Sequence, residues 1–157
     1  MKIEHELIHR IISSNHLVLI PNFYLGAFEC DLFALNKMYN TTEYEIKRSR
    51  ADFKNDFNKV RGGLFWKDST KISNKHDQIR LGKRTNRFYF VIEKGLDVEI
   101  PDYAGLIEFE VRHTIIFRYI KRAPLLHRNK ADQNLINSCL QGFTWRYYKI
   151  TRQKLFS

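Results

Sequence analysis

The stretch Glu29–Phe57, ECDLFALNKMYNTTEYEIKRSRADFKNDF, decides the fold. Two strand-like runs, Ala27–Leu35 and Thr41–Lys47, flank the polar turn Asn36–Asn40, a pattern that predicts a β-hairpin. A turn symmetric about Met38 sets Asp31 opposite Glu45 and Glu29 opposite Lys47. Directly opposed residues share a sheet face with Cβ atoms ~5 Å apart, and like charges so placed repel. Strict alternation puts Glu45 and Lys47 on one face, together with Asp31, Phe33 and Leu35. Tyr44 and Ile46 fall on the other. Glu29, Asp31, Glu45 and Lys47 are therefore expected to converge on one patch. A hard divalent cation such as Mg²⁺ would relieve the repulsion among its carboxylates.

After Lys47 the pattern changes to that of a helix. Ser49 is a candidate N-cap, with Asp52 three residues on, and Phe53, Phe57 and Val60 form a core-facing stripe. Lys54 and Lys59 fall off that stripe, and Gly62-Gly63 is the expected stop. Free N–H groups at the start of this helix would favour a phosphate beside the Glu45–Lys47 strand.

The nine residues Glu45–Phe53, EIKRSRADF, carry a resemblance. With Asp31 they match the D…ExK signature of the PD-(D/E)XK nuclease superfamily. The flanking text resembles MmcB-like DNA-repair nucleases and related small phage and bacterial proteins. Asn86–Val91, Ile100-Pro101, Ala104–Ile107 and Ala123–His127 extend the likeness across Ala27–His127. Glu29-Cys30 stands before Asp31 where the superfamily name has a proline. The resemblance implies a restriction-endonuclease-like αβββαβ core with an added β-hairpin and a C-terminal helix, an α/β fold of the mixed-sheet α+β kind. It also implies a metal-dependent endonuclease hydrolysing DNA, in repair or phage DNA processing. Asp31, Glu45 and the Ile46 carbonyl would hold Mg²⁺, with Mn²⁺ able to substitute, and Lys47 would serve the attacking water. Glu6 (or Glu4), Glu29, Ser49 and Arg50 are accessory candidates. Alanine at Asp31, Glu45 or Lys47 is expected to abolish cleavage and leave the fold intact.

Composition agrees with a nucleic-acid partner. The chain has 157 residues, 43% hydrophobic and 14% aromatic, enough for one globular domain over 1–157. Its net charge of +10 is unevenly spread. Residues 47–87 hold thirteen basic and four acidic groups, and residues 112–157 hold ten and one. The acidic blocks are 1–46 and 88–111. Two basic blocks bracketing an acidic centre suit a polyanion, although general solubility explains charge alone nearly as well. Candidate phosphate contacts are Arg48, Lys54, Lys59, Arg61, Lys67, Lys71, Lys83, Arg84, Arg87, Arg146 and Lys149. Trp66, in the long basic segment 61–87, has two readings: stacking on unpaired bases, or anchoring its loop to the core.

The rest of the chain reads as follows. Residues 3–14 predict an amphipathic first helix, and Leu17–Ile20, ending at Pro21-Asn22, a short strand or connector. Asn74–Leu81 holds a short helix. Arg87–Ile92 is a central strand parallel to the Glu45–Lys47 strand, and Gly105–Val111 with Thr114–Ile120 forms an edge hairpin. The last helix spans Asn129–Phe156, with Gly142 expected to break it. A charged start, no long apolar run and only Cys30 and Cys139 point to a cytoplasmic protein with no membrane partner. Oligomeric state is left open, a homodimer included.

Two rival functions fit parts of the sequence. A non-catalytic DNA-binding or repair-accessory protein would use the same basic blocks. His5-Glu6-Leu7-Ile8-His9 is a literal HExxH, which in a zinc peptidase supplies two ligands and a general base. It lies at the start of the chain with no preceding sheet to hold a peptide, so it ranks last.

Overall fold

The computed structural model describes residues 2–61 and 73–155, with only the backbone described for Arg61 and Ser73. Gly62-Gly63, Trp66, Lys67 and Lys71 lie outside the described residues. The order is α1 (Ile3–Ile11), β1 (His16–Leu25), β2 (Phe28–Asn36), β3 (Thr41–Lys47), α2 (Arg50–Asp56), β4 (Val60–Arg61), β5 (Ser73–Asn74), α3 (Lys75–Arg80), β6 (Arg87–Glu93), β7 (Gly105–Val111), β8 (Ile115–Lys121) and α4 (Gln133–Leu155). Six strands form one mixed sheet in the order β1-β2-β3-β6-β7-β8, and β4 pairs with β5. The fold is thus mixed α/β, as expected.

The hairpin register is the one that symmetry about Met38 requires: Leu32 faces Tyr44 and Leu35 faces Thr41. The chain then crosses over through α2 and α3, so that β6 lies parallel to β3 with Glu45 beside Phe90. β7 runs parallel to β6, and β8 returns antiparallel as an edge.

Alternation on β3 sorts the core into two sides. Tyr44 joins Leu32, Ala34, Val91, Ile107 and Phe109 under α1, whose Ile3 and Leu7 seal that face. On the opposite face Phe33 and Leu35 pack with Cys139 of α4, while Phe88, Phe90 and Ile92 pack with Phe53 of α2 and Ile79 of α3. Burial of such side chains contributes ~1.5–3 kcal/mol each.

Several expectations change. β1 does not stop at Ile20 but runs through Pro21 to Leu25, which an edge strand permits because its outward N–H has no ladder partner. α2 ends at Asp56, short of the glycines, so Val60 belongs to β4. α4 is continuous through Gly142, where a Cβ would sit 3.1 Å from Ile20 Cδ1. That glycine serves close packing on β1 rather than a break.

Candidate functional site

β3 carries acid at every second position, Glu43 and Glu45 followed by Lys47, and all three side chains are buried. They form a polar seam between the two apolar clusters on the side of α2 and α3. Lys47 Nζ donates to Glu45 Oε2 at 3.4 Å and to Asp56 Oδ1 of α2 at 2.8 Å. Lys59, just after α2, meets Asp56 at 2.6 Å and Glu45 at 3.6 Å. From α3, His76 Nε2 lies 2.5 Å from Asp56 Oδ2, and its Nδ1 lies 2.9 Å from the Tyr103 hydroxyl. Arg84 grips both Glu43 oxygens at 3.1 Å.

The centre of the seam is Lys75, the first residue of α3, fully buried. Its ammonium donates to Glu45 Oε1, to Glu43 Oε1 at 2.9 Å and to the Glu29 carbonyl at 3.0 Å. Asn74 places it by capping α3 through the N–H groups of His76 and Asp77. No buried side-chain nitrogen or oxygen lacks a hydrogen-bond partner among the described residues. Burial pushes the Glu43 carboxyl up, but Lys75 and Arg84 outweigh it and hold the group below its ordinary value. Burial of Asp56 is likewise outweighed, by the His76 hydrogen bond and by Lys47 and Lys59. Burial beside Asp56 pushes the Tyr103 phenol up to about 12.

Asp31 lies elsewhere. Its Oδ2 accepts from the Ile46 N–H at 2.6 Å, and it lines an open cleft of about 340 Å³ with Ile3, Glu4, Ile46, Arg48 and Asp52. That cleft is on the α1 side of β3, whereas Glu45 and Lys47 face α2. The strict alternation expected of β2 fails here. Cys30 packs with Phe33 on one face although the two are three positions apart, an odd step, so the pleat reverses around Asp31-Leu32. Facing this point, Asn22 of β1 has φ +49° and the inward pattern of β1 shifts from Val18 and Ile20 to Phe23. The paired kink turns Asp31 out of the Glu45 patch, and the β2–β3 pairing ends at Leu32. Asp52 stands between the two sides: it lines the cleft and lies 3.7 Å from Lys47 Nζ.

The expected Mg²⁺ ligands do not fit the ion in this arrangement. Asp31 is bound to a backbone N–H, Glu45 is held by three ammonium groups, and Lys75 stands amid the seam's oxygen donors. Among the described residues no group of three or more His, Cys, Asp or Glu side chains is placed to hold a metal. His5, Glu6 and His9 of the HExxH are included in that statement.

The other expected residues divide by use. Ser49 caps α2, accepting from Asp52 N–H at 3.1 Å. Arg48 pairs with Glu93 and Arg50 with Asp97, both at the surface. The Glu29 side chain is exposed, and only its carbonyl enters the seam. Glu4 lines the cleft; Glu6 does not. Lys59 and Arg84 turn inward to carboxylates instead of outward to phosphate. Arg146 ties α4 to the Pro21 and Asn22 carbonyls, and Arg87 donates to the Ala123 carbonyl. Lys54, Lys83 and Lys149 are exposed or partly so. Asp56, Lys75 and His76 were not anticipated; the one signal for their placement was the helix start at Asn74.

No helix among the described residues is long and apolar enough to cross a membrane. No protein-family model and no curated protein matches this chain. Among solved structures it superposes on SPO1766, a protein of unknown function from Silicibacter pomeroyi, with a TM-score of 0.54 and 16% identity. The match covers 86% of this chain and 77% of that one. At that identity the likeness is one of fold alone.

Proposed function

We propose that this chain is a nucleic-acid-processing protein of the PD-(D/E)XK type, a DNA endonuclease in which Lys75 neutralises the motif acid Glu45 in the free protein. One observation supports it best. Glu45-Ile46-Lys47 closes a strand flanked by a parallel neighbour, and the Asp31 carboxylate reaches that strand at the Ile46 N–H, 2.6 Å away. Asp31 thus reaches the Glu45-Ile46-Lys47 segment from the opposite face, at the carboxyl end of β3, where α/β sheets bind their ligands. On this reading both acids must first be freed, Asp31 from the Ile46 N–H and Glu45 from Lys75. The unpaired cysteines Cys30 and Cys139 fit a reducing, cytoplasmic setting.

The second reading, a DNA-binding protein without catalysis, draws on the same seam. Glu45 is already satisfied by Lys47, Lys59 and Lys75 and has no charge left to neutralise. The two are separated by incubating the protein with plasmid, flap and junction DNA in Mg²⁺ or Mn²⁺, with EDTA as control. Metal-dependent nicking that disappears in a folded Glu45→Gln protein supports the endonuclease. Binding without cleavage on every substrate leaves the accessory role.

A further inference from the structure

The amino ends of β3 and β6 carry a second feature, which no catalytic reading uses. Asn86, just before β6, is buried, and its side chain ties one loop to Thr41 of β3. Its Oδ1 accepts from the Thr41 N–H at 2.7 Å and the Thr41 hydroxyl at 3.0 Å. Its Nδ2 donates to the His127 and Asn129 carbonyls at 3.0 and 2.8 Å. His127 continues the clamp. Its Nδ1 accepts from the Asn129 N–H, which leaves Nε2–H to donate to the Arg84 carbonyl at 3.0 Å. Gly82, with φ +67°, approaches so closely that a Cβ there would lie 2.7 Å from the Leu126 carbonyl oxygen. A segment without helix or strand is thus fixed nearly as firmly as one with either.

What this rigid loop presents is positive. Arg128 and Lys130 line a cavity of about 410 Å³ with Arg87, Thr41 and Thr42, and no carboxylate lines it. Lys130 is steadied at 2.8 Å on Asn40 Oδ1. A neighbouring cavity of about 480 Å³ shares Thr41 and Lys130 and adds Lys83. Its one carboxylate, Asp132, is turned to the Leu135 N–H at the start of α4. Cations carried on a loop held by part-buried hydrogen bonds, beside hydroxyl and amide donors and with no acid left free to compete, match the phosphodiester backbone.

We infer that this double cavity is a backbone-binding groove for nucleic acid, set apart from the Glu45–Lys47 end. It rests on the nucleic-acid reading above and extends it. From Thr42 to Lys47 the strand rises roughly 17 Å, about five base-pair steps of a duplex, so the groove holds DNA flanking the other site.

The test is fluorescence anisotropy of a labelled duplex and a labelled single strand, titrated with NaCl. The proteins are wild type, the Arg128→Ala/Lys130→Ala double variant and, as a surface control, a variant of the exposed Arg118 of β8, Arg118→Ala. Each phosphate contact contributes about 0.9 to the slope of log affinity against log salt. The double variant is expected to lose about 2 from that slope, with an unchanged melting temperature; Arg118→Ala keeps the wild-type slope. An unchanged slope in the folded double variant overturns the groove while leaving nucleic-acid binding in place. Displacement of DNA from wild type by inorganic phosphate at matched ionic strength, absent in the double variant, makes this a small-anion site and overturns the assignment. No binding by wild type removes both this groove and the function proposed above.

Discussion

The two sides of β3 differ in how they hold their acids. On the α1 side, Asp31 sits in an open cleft with one hydrogen bond among the described residues, accepted from Ile46 N–H. On the α2 side, Glu43, Glu45 and Asp56 are buried and crossed by Lys47, Lys59, Lys75, His76 and Arg84. Neighbouring residues of β3 therefore meet an accessible acid, Asp31 of β2 at the Ile46 N–H, and supply a saturated one, Glu45. A carboxylate in water can accept an incoming ligand at little cost, whereas a buried one must first lose a charged partner. The motif residues alone do not reveal which state each acid is in.

The largest effect to break this contrast comes from Lys75. Lys75→Ala leaves Glu43 and Glu45 buried with fewer partners, and removing one member of a buried ion pair costs ~3–5 kcal/mol. Urea unfolding should show that loss, and Lys75→Ala/Glu43→Gln should recover part of it. A Lys75→Ala protein as stable as wild type would show that the seam is open to water. Lys47→Ala comes next, at about 2 kcal/mol, because Asp56 keeps Lys59 and His76. This revises the expectation that Lys47→Ala leaves the fold untouched. Cleavage by that variant is interpretable only beside its unfolding curve, and Lys47→Met is the better partner experiment because it keeps the stem packing.

How much of this could be read from the sequence follows from the range of each interaction. The hairpin register, the parallel β3–β6 pairing and the Ser49 cap depend on neighbours in sequence or on periodicity, and they stood out. Strict alternation assigned Glu45 and Lys47 to one face correctly. It failed at Asp31, because the pleat reversal is shared with Asn22 on another strand and no local pattern in Glu29–Leu35 marks it. Lys75 was hidden for a different reason. A lysine at a helix start reads as a solvated charge, and only the crossover of α2 and α3 brings it under β3. Arg84 failed likewise: nothing beside it shows that Glu43 lies across the sheet.

Acid is a gentler probe of the buried side. The Glu43 and Asp56 carboxyls are held below their ordinary values in the folded chain. Groups depressed on folding add stability above their unfolded values, about 4, and lose it as pH falls toward the folded ones. The share of stability contributed by Glu43 and Asp56 should be level from about pH 7 to 5 and decline below about pH 4. Asp56→Asn should flatten that decline while lowering the plateau. Urea midpoints at several pH values check it, and a wild-type profile that stays flat to about pH 3 would contradict the inward placement of both acids.

The smallest change belongs to the open side. Asp31→Asn keeps an oxygen facing the Ile46 N–H and exchanges a charge-assisted hydrogen bond for a neutral one, a difference of about 1 kcal/mol. Its cleft is solvated, so no buried charge is orphaned. If the endonuclease reading holds, cleavage falls by orders of magnitude in a protein whose unfolding curve barely moves. Glu45→Gln on the other face must lose both activity and stability. The two variants thus separate the accessible acid from the saturated one by the ratio of lost rate to lost stability. Equal stability losses at both positions would mean that Asp31 is built into the seam after all, and the division between the two sides of β3 would fall.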